Sequence, residues 1–257
     1  KFSNLYLTYD GLNDQLGHSQ IIPYINICSK FSNKYYVLSF EKKNLNKKDI
    51  EHIKKELNSN VVWKYLIFNS KGNKYLKLID IIKFSLFTLF VLIRRNPKLV
   101  HCRGHMPIIC CVLFKFFFKF KLIFDFRGLW ADEKVDSGII KIDKKIDKII
   151  YYFIKRIEKY SLKKSDAVIF LTKKVEKFFK NKFDYFSHVI PCCADFDKFK
   201  IYDENDIYFK KLKSKLNLKS EDFIIGYIGT FSQLYLPESM FLFVNECIKK
   251  NKKNNYF

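Results

Sequence analysis

The chain has 257 residues, 48% of them hydrophobic, enough for one large or two modest domains with a real core. Lys and Arg outnumber Asp and Glu by 48 to 26, giving a formal net charge of +22. The lysines are spread along the whole chain, a pattern of compositional drift plus attraction to an anionic membrane surface rather than of one nucleic-acid-binding module. The longest apolar run, Phe84–Ile93 between Lys83 and Arg94-Arg95, falls well short of the roughly 20 residues a membrane span requires, and no signal peptide is visible.

In chain order, strands are predicted at 5–9, 35–40, 61–68, 99–102, 122–126, 167–171 and 189–191. Helices are predicted at 19–29, 47–58, 74–95, 106–118, 142–164 and 173–182. Short apolar runs alternating with helical patterns imply right-handed crossovers and an α/β, doubly wound, parallel Rossmann-like sheet. Leu122-Ile123-Phe124 and Ala167-Val168-Ile169-Phe170 have the continuous apolarity of strands buried on both faces. In the predicted helix 142–164, Ile142, Ile146, Ile149, Ile150, Phe153 and Ile157 form one stripe while basic residues crowd the rest. That stripe faces either the core or an anionic lipid surface. From about 196 the chain turns polar, which reads as a linker. The seven cysteines include two adjacent pairs and no C-x-x-C, the pattern of reduced structural thiols in a cytoplasmic protein.

One local unit occurs twice. An apolar strand runs into a loop with Gly11 and Gly17 and then a helix; the strand expected at 223–229 runs into Thr230 and a helix at 237–250. A strand, a small-residue turn and a helix N-terminus together favour anions. The chain opens on Lys1 directly in a strand and stops at Phe257 as a further strand would begin, so a piece of a longer protein is expected.

Ligands of open α/β sheets bind at the carboxyl ends of the strands. After the fourth strand stands His101-Cys102-Arg103-Gly104-His105, and after the fifth Asp125-Phe126-Arg127-Gly128. Charged groups this close to buried strands are paired or functional. A structural Asp125–Arg127 or Asp125–Arg103 ion pair is one outcome. An arginine fork for a phosphate or sugar diphosphate is the other, and the two are compatible. No Walker motif, dinucleotide fingerprint, H-E-x-x-H or C-x-x-C is present, so neither a cofactor nor a metal site is expected.

The segment Asp10-Gly11-Leu12-Asn13-Asp14-Gln15-Leu16-Gly17-His18-Ser19-Gln20-Ile21-Ile22-Pro23-Tyr24 resembles the opening of glycosyltransferase family 4 proteins of the GT-B fold. So do Asp125-Phe126-Arg127-Gly128, the run from Tyr160 to Thr172, Val189-Ile190-Pro191-Cys192-Cys193-Ala194-Asp195, and Gly226-Tyr227-Ile228-Gly229-Thr230. The resemblance implies residues 1–200 as an acceptor-side Rossmann-like domain, 201–221 as linker, and 222–257 as the start of an incomplete nucleotide-sugar-binding domain. It also implies retaining, metal-independent transfer from a nucleotide sugar to a polysaccharide or lipid-linked glycan in cell-surface glycan synthesis.

Carried over by position, Gly17 matches the first-domain glycine that lets backbone approach the donor phosphate, and Gly229 with Thr230 matches the opposing loop. Arg127 falls where many relatives place an active-site histidine, with Asp125 beside it. Asp10, His18, Arg103 and His105 complete an expected acceptor or phosphate pocket. Ser232 departs from the usual glycine, and the resemblance implies that the family's Glu-x7-Glu motif, with its preceding Arg/Lys pair, lies beyond Phe257. These residues alone are therefore expected not to catalyse transfer. Asp195-Phe196-Asp197 spells D-x-D but reads better as capping and turn residues. The rival functions are a basic nucleic-acid-binding module, which lacks any RRM, KH or helix-turn-helix signature, and a non-catalytic sugar-phosphate-binding domain. The expected location is cytoplasmic, on the inner face of the cell membrane.

Overall fold

Seven strands, β1 (Ser3–Thr8), β2 (Lys34–Glu41), β3 (Val61–Ile67), β4 (Leu99–Arg103), β5 (Lys121–Phe126), β6 (Ala167–Phe170) and β7 (Phe186–Val189), form one sheet in the order β3-β2-β1-β4-β5-β6-β7. Every pairing is parallel. The computed structural model describes residues 2–69, 74–183, 185–194, 196, 206–219, 222, 224–229, 231 and 235–250. They divide into two units, residues 1–132 with 141–194, and residues 133–140 with 195–257.

Helices cover both faces of the sheet. On one face α1 (Ile22–Ser29) and α2 (Lys47–Glu56) bury Ile21, Ile22, Ile25 and Ile53 against Tyr6, Tyr35, Val37 and Trp63. On the other, α3 (Lys74–Arg95), α4 (His105–Cys111) and α6 (Lys145–Lys164) supply Phe84, Leu92, Ile108 and Leu162 to a core with Leu5, Leu7, Cys102, Leu122, Phe124 and Phe170. Alternation along each strand sorts the two sets: Leu5 and Leu7 point one way, Tyr6 and Thr8 the other. Chain order runs outward from β1 to β3 and then returns to β4 on the other side of β1. The topological switch point therefore lies between the carboxyl ends of β1 and β4.

The fold is the predicted one, with local differences that have physical causes. The helix predicted at 106–118 ends as α4 and continues only as a 3₁₀ turn, Val112–Phe116. Its Cys, Val and Phe residues are weak helix formers. Two helices went unread: α5 (Trp130–Asp136), and α8 (Ile207–Lys215) inside the supposed linker, where the Asp206 carboxylate accepts from Tyr208 N–H at 2.8 Å as an N-cap. The remaining helices are α7 (Lys173–Lys180) and α9 (Pro237–Lys250). Residues 224–228, expected as a strand, join no ladder among the described residues.

Helix α6 is turned over relative to a simple amphipathic reading. Its buried side holds Asp147, Ile154, Glu158, Ser161 and Leu162, while Ile146, Ile149 and Phe153 are 70%, 69% and 61% exposed. The predicted apolar stripe therefore faces outward.

The loop after β1 depends on missing side-chain volume. A Cβ on Gly17 would stand 2.1 Å from the Leu12 carbonyl oxygen and 2.5 Å from that of Gly11. Glu41, buried at the end of β2, holds the same loop by accepting from Leu12 N–H at 2.7 Å and Asn13 N–H at 3.2 Å. Gly17→Ala must push two backbone carbonyls aside and is expected to cost about 2 kcal/mol or more. Gly226→Ala, with open space around the added methyl, should be close to neutral. Urea denaturation of the two variants checks this, and equal midpoints would refute the assignment.

Candidate functional site

The chemistry-bearing side chains converge beside the switch point. Arg103 and Asp125 end neighbouring strands as register partners, with Thr8 of β1 beside Arg103 and Tyr6 beside His101. Aligned residues of parallel strands project from the same face, here the one bearing α1. A π-helical turn, Gly17–Ile21, leads into α1 and brings Gln20 over the strand ends.

Gln20 is the bridge of the cluster. Its Oε1 accepts from Arg127 Nη2 at 2.9 Å and from Arg103 Nη2 at 3.2 Å. Asp125 lies beneath: its carboxylate is 3.5 Å from Arg127 Nη1, 3.6 Å from Arg103 Nη1 and 3.7 Å from His101 Nε2. Asp10, half exposed, sits 3.6 Å from Arg103 Nε. The His101 ring lies tilted against Tyr6 and edge-to-face with Tyr24, at centroid distances of 4.7 and 5.4 Å. Arg103 is buried, whereas the Arg127 side chain remains 24% exposed and so is the cation a solute can reach.

Electrostatics fix the ionisation states. Burial opposes the charge on Asp125, but the His101 ring and the Arg127 and Arg103 charges outweigh it and hold the carboxyl below its ordinary range. Arg103 is likewise raised despite its burial, through Tyr6, Asp125 and Asp10. Burial pushes the Tyr6 and Tyr24 phenols well up, so both are neutral donors. Glu41 shifts the other way from Asp125: burial raises it, and its partners are the neutral Ser39 hydroxyl and two backbone N–H groups. Three buried atoms in the cluster, Tyr6 Oη, His101 Nε2 and Arg103 Nε, have no hydrogen-bond partner among the described residues. Two of them have a carboxylate just beyond hydrogen-bond distance, Asp125 at 3.7 Å from His101 Nε2 and Asp10 at 3.6 Å from Arg103 Nε.

Of the residues singled out from sequence, the structure brings Asp10, Arg103, Asp125 and Arg127 together. His105 lies elsewhere. Gly104, at φ 79° and ψ −178°, swings the chain so that α4 packs on the opposite face. There His105 Nε2 meets Glu158 at 2.8 Å, its ring edge-on to Phe126 and parallel to Trp130. His18 also points away, meeting Glu56 of α2 at 2.8 Å. Gly17 sits in the turn below Gln20 and permits its close packing. Gly229 belongs to the second unit, where an added Cβ would meet the Tyr227 hydroxyl at 2.9 Å. Thr230, Asp195, Asp197 and Ser232 lie outside the described residues.

Gln20, Tyr6 and Tyr24 carry no site role in the sequence reading, although Gln20 and Tyr24 fall in the segment 10–24, and His101 enters only as part of the charged run after the fourth strand. The described cysteines form no disulfide; Cys192 and Cys193 are exposed, with Cys192 Sγ 3.8 Å from Arg127 Nη2. No helix among the described residues is long and apolar enough to cross a membrane.

No protein-family model and no curated protein matches this sequence. Solved structures do share the fold. Sucrose-phosphate synthase from Thermosynechococcus elongatus superposes at TM-score 0.59 and 11% identity, over 91% of this chain and 57% of that one. UGT2 from Phytolacca americana gives 0.51 at 8% identity, over 77% and 54%. HepE from Anabaena in complex with UDP gives 0.50 at 11% identity, over 84% and 50%. The chain thus spans about half the length of these proteins, and identities this low establish a common fold alone.

The ionised Asp125 makes the cluster pH-dependent. Its folded pKa is lowered, so its contribution to stability is present above the ordinary carboxylate range near 4 and is lost as pH falls below it. Asp125→Asn leaves Arg103 buried without its counter-charge and is expected to lower unfolding free energy at pH 7 by about 3–5 kcal/mol. The loss should shrink towards pH 3. A pH-independent deficit in denaturant titrations would contradict this.

Proposed function

We propose that this chain is the acceptor-side part of a glycosyltransferase of the GT-B type, moving a sugar from a nucleotide-sugar donor to a polysaccharide or lipid-linked glycan acceptor. The observation that carries the reading is the switch-point cluster. Two arginines are aimed by one glutamine and one ionised aspartate, on a fold shared with sucrose-phosphate synthase and with HepE in complex with UDP. The motif resemblance at residues 10–24 and 125–128 falls on the same two strand ends.

In this reading Arg127 is the group that touches the reacting diphosphate. A guanidinium has five N–H donors and Arg127 commits only some of them within the protein. Negative charge developing on the leaving diphosphate is stabilised by donors already held in place, which is where such sites gain most of their rate. Asp125 keeps the arginine oriented and stays unprotonated, so it does not act as an acid. Transfer with retention and without metal follows from the resemblance, with the nucleotide held mainly by a second domain through Gly229 and Thr230.

The membrane part of the proposal rests on α6. Its outward apolar stripe of Ile146, Ile149 and Phe153 is flanked by exposed Lys145, Lys148, Arg156 and Lys159, the composition of a helix that lies in a lipid interface. This suits an enzyme of cell-surface glycan synthesis at the cytoplasmic face, where a lipid-linked acceptor presents itself.

Equilibrium dialysis against UDP-sugars and UDP tests the site. Arg127→Ala is expected to weaken binding about 10–100-fold, the loss of one charge-assisted contact. Binding untouched by the substitution, or tight binding to a defined RNA in its place, overturns the proposal. Cosedimentation with anionic vesicles should weaken steeply with salt and be lost in Ile149→Asp, which replaces an exposed side chain. Salt-insensitive attachment, or wild-type binding by that variant, removes the membrane assignment.

A further inference from the structure

His18, His52 and Glu56 form a cluster that the crevice does not use. His52 and Glu56 stand at i and i+4 on the last turns of α2, so they share one face of that helix. His18 reaches the same point from the π-helical turn. Glu56 Oε2 is 2.8 Å from His18 Nδ1, Glu56 Oε1 is 3.3 Å from His52 Nε2, and the three ligating atoms lie within 4.8 Å of one another. Ligands around a tetrahedral zinc ion, at bond lengths near 2.0–2.2 Å, are separated by roughly 3.4 Å. Closing the cluster on an ion therefore asks for shifts of about an ångström. His18 and Glu56 are half-buried and His52 is exposed, which leaves an approach from solvent and a coordination position for water.

We propose that His18, His52 and Glu56 bind a divalent transition-metal ion of the zinc class. Two imidazoles and one carboxylate are borderline ligands that favour Zn²⁺, Co²⁺ and Ni²⁺ over Mg²⁺ or Ca²⁺. The ion's mechanical consequence follows from the position of His18. The turn Gly17–Ile21 also carries Gln20, the bridge between Arg103 and Arg127. An ion here ties that turn to α2 and stiffens the support of the arginine pair. The site is thus a structural and regulatory one beside the crevice, separate from any chemistry on sugar, and it stands whether or not the chain transfers glycans.

Cobalt serves as the probe because its spectrum reports its ligands. Titration of the whole chain with Co²⁺ should fill one site giving weak visible bands without the strong near-ultraviolet thiolate charge transfer, and Zn²⁺ should displace it. His52→Ala alters an exposed side chain and is expected to weaken the site about tenfold or more. Cys192→Ser/Cys193→Ser should leave it intact, excluding the exposed thiol pair as ligands. Retained affinity in His52→Ala, thiolate bands lost with the cysteines, or no binding at micromolar Co²⁺ and Zn²⁺ each overturns the proposal.

Discussion

A single ionised carboxylate, Asp125, organises the functional end of this sheet. Removing a carboxylate from water costs several kcal/mol even after the protein relaxes around it, so its neighbours must repay that cost. They do so with two guanidiniums and an imidazole, His101 and Arg103 from β4 and Arg127 from the loop directly after β5. Asp125 thereby fixes where Arg103 and Arg127 point. Gln20 then joins the two from above, and its position depends on a turn that only Gly17 allows. A packing constraint in the β1 loop and an electrostatic one at the end of β5 thus meet at the same glutamine.

The charge balance of the cluster suits the anion of the proposed function. Asp125 and Asp10 offset Arg103 and Arg127 in number, yet not in accessibility. Asp125 is spent on the buried side, and Asp10 lies half in water at 3.6 Å from its arginine, where high dielectric screening leaves it a weak partner. The Arg127 fork is the part that opens outward. In the proposed reading a diphosphate reaching it gains a charge-assisted contact from the N–H donors that Gln20 and Asp125 leave free.

Much of this was readable from residues alone, for a reason that also sets the limit. Buried parallel strands are continuously apolar, so β5 and β6 declare themselves, and the strand-end rule then points to Arg103, Asp125 and Arg127. What one dimension hides is face. Arg103 and His105 are two residues apart, but Gly104 sends them to opposite sides of the sheet, one to the crevice and one to a buried pair with Glu158. Gln20, His101 and Tyr6 sit in stretches that look like ordinary helix and strand. Only the β1–β4–β5 register makes them neighbours of Asp125. His18 shows the converse: its sequence neighbourhood suggests the crevice, while the turn of the helix sends it to α2.

Helix α6 shows the same limit on a larger scale, because an apolar stripe tells that a helix is two-sided but not which side the core receives. Here the core side receives Glu158, which meets the buried His105 and the half-buried Lys155, and Ile146 and Ile149 are left outside. Each such side chain forgoes about 1.5–3 kcal/mol of burial, so the outward stripe has a strong thermodynamic pull towards an apolar cover. The flanking lysines and arginine decide its kind. Attraction to anionic lipid acts over a Debye length of about 8–10 Å, further than the contact range of the isoleucines. Charge can therefore bring the helix to a surface before the apolar side chains enter it. In the proposed membrane reading neither term alone gives more than weak attachment, and the two on one helix would give a binding that is reversible, salt-dependent and oriented. Under the proposed function, an acceptor embedded in that surface would meet a sheet whose orientation the same contact restricts.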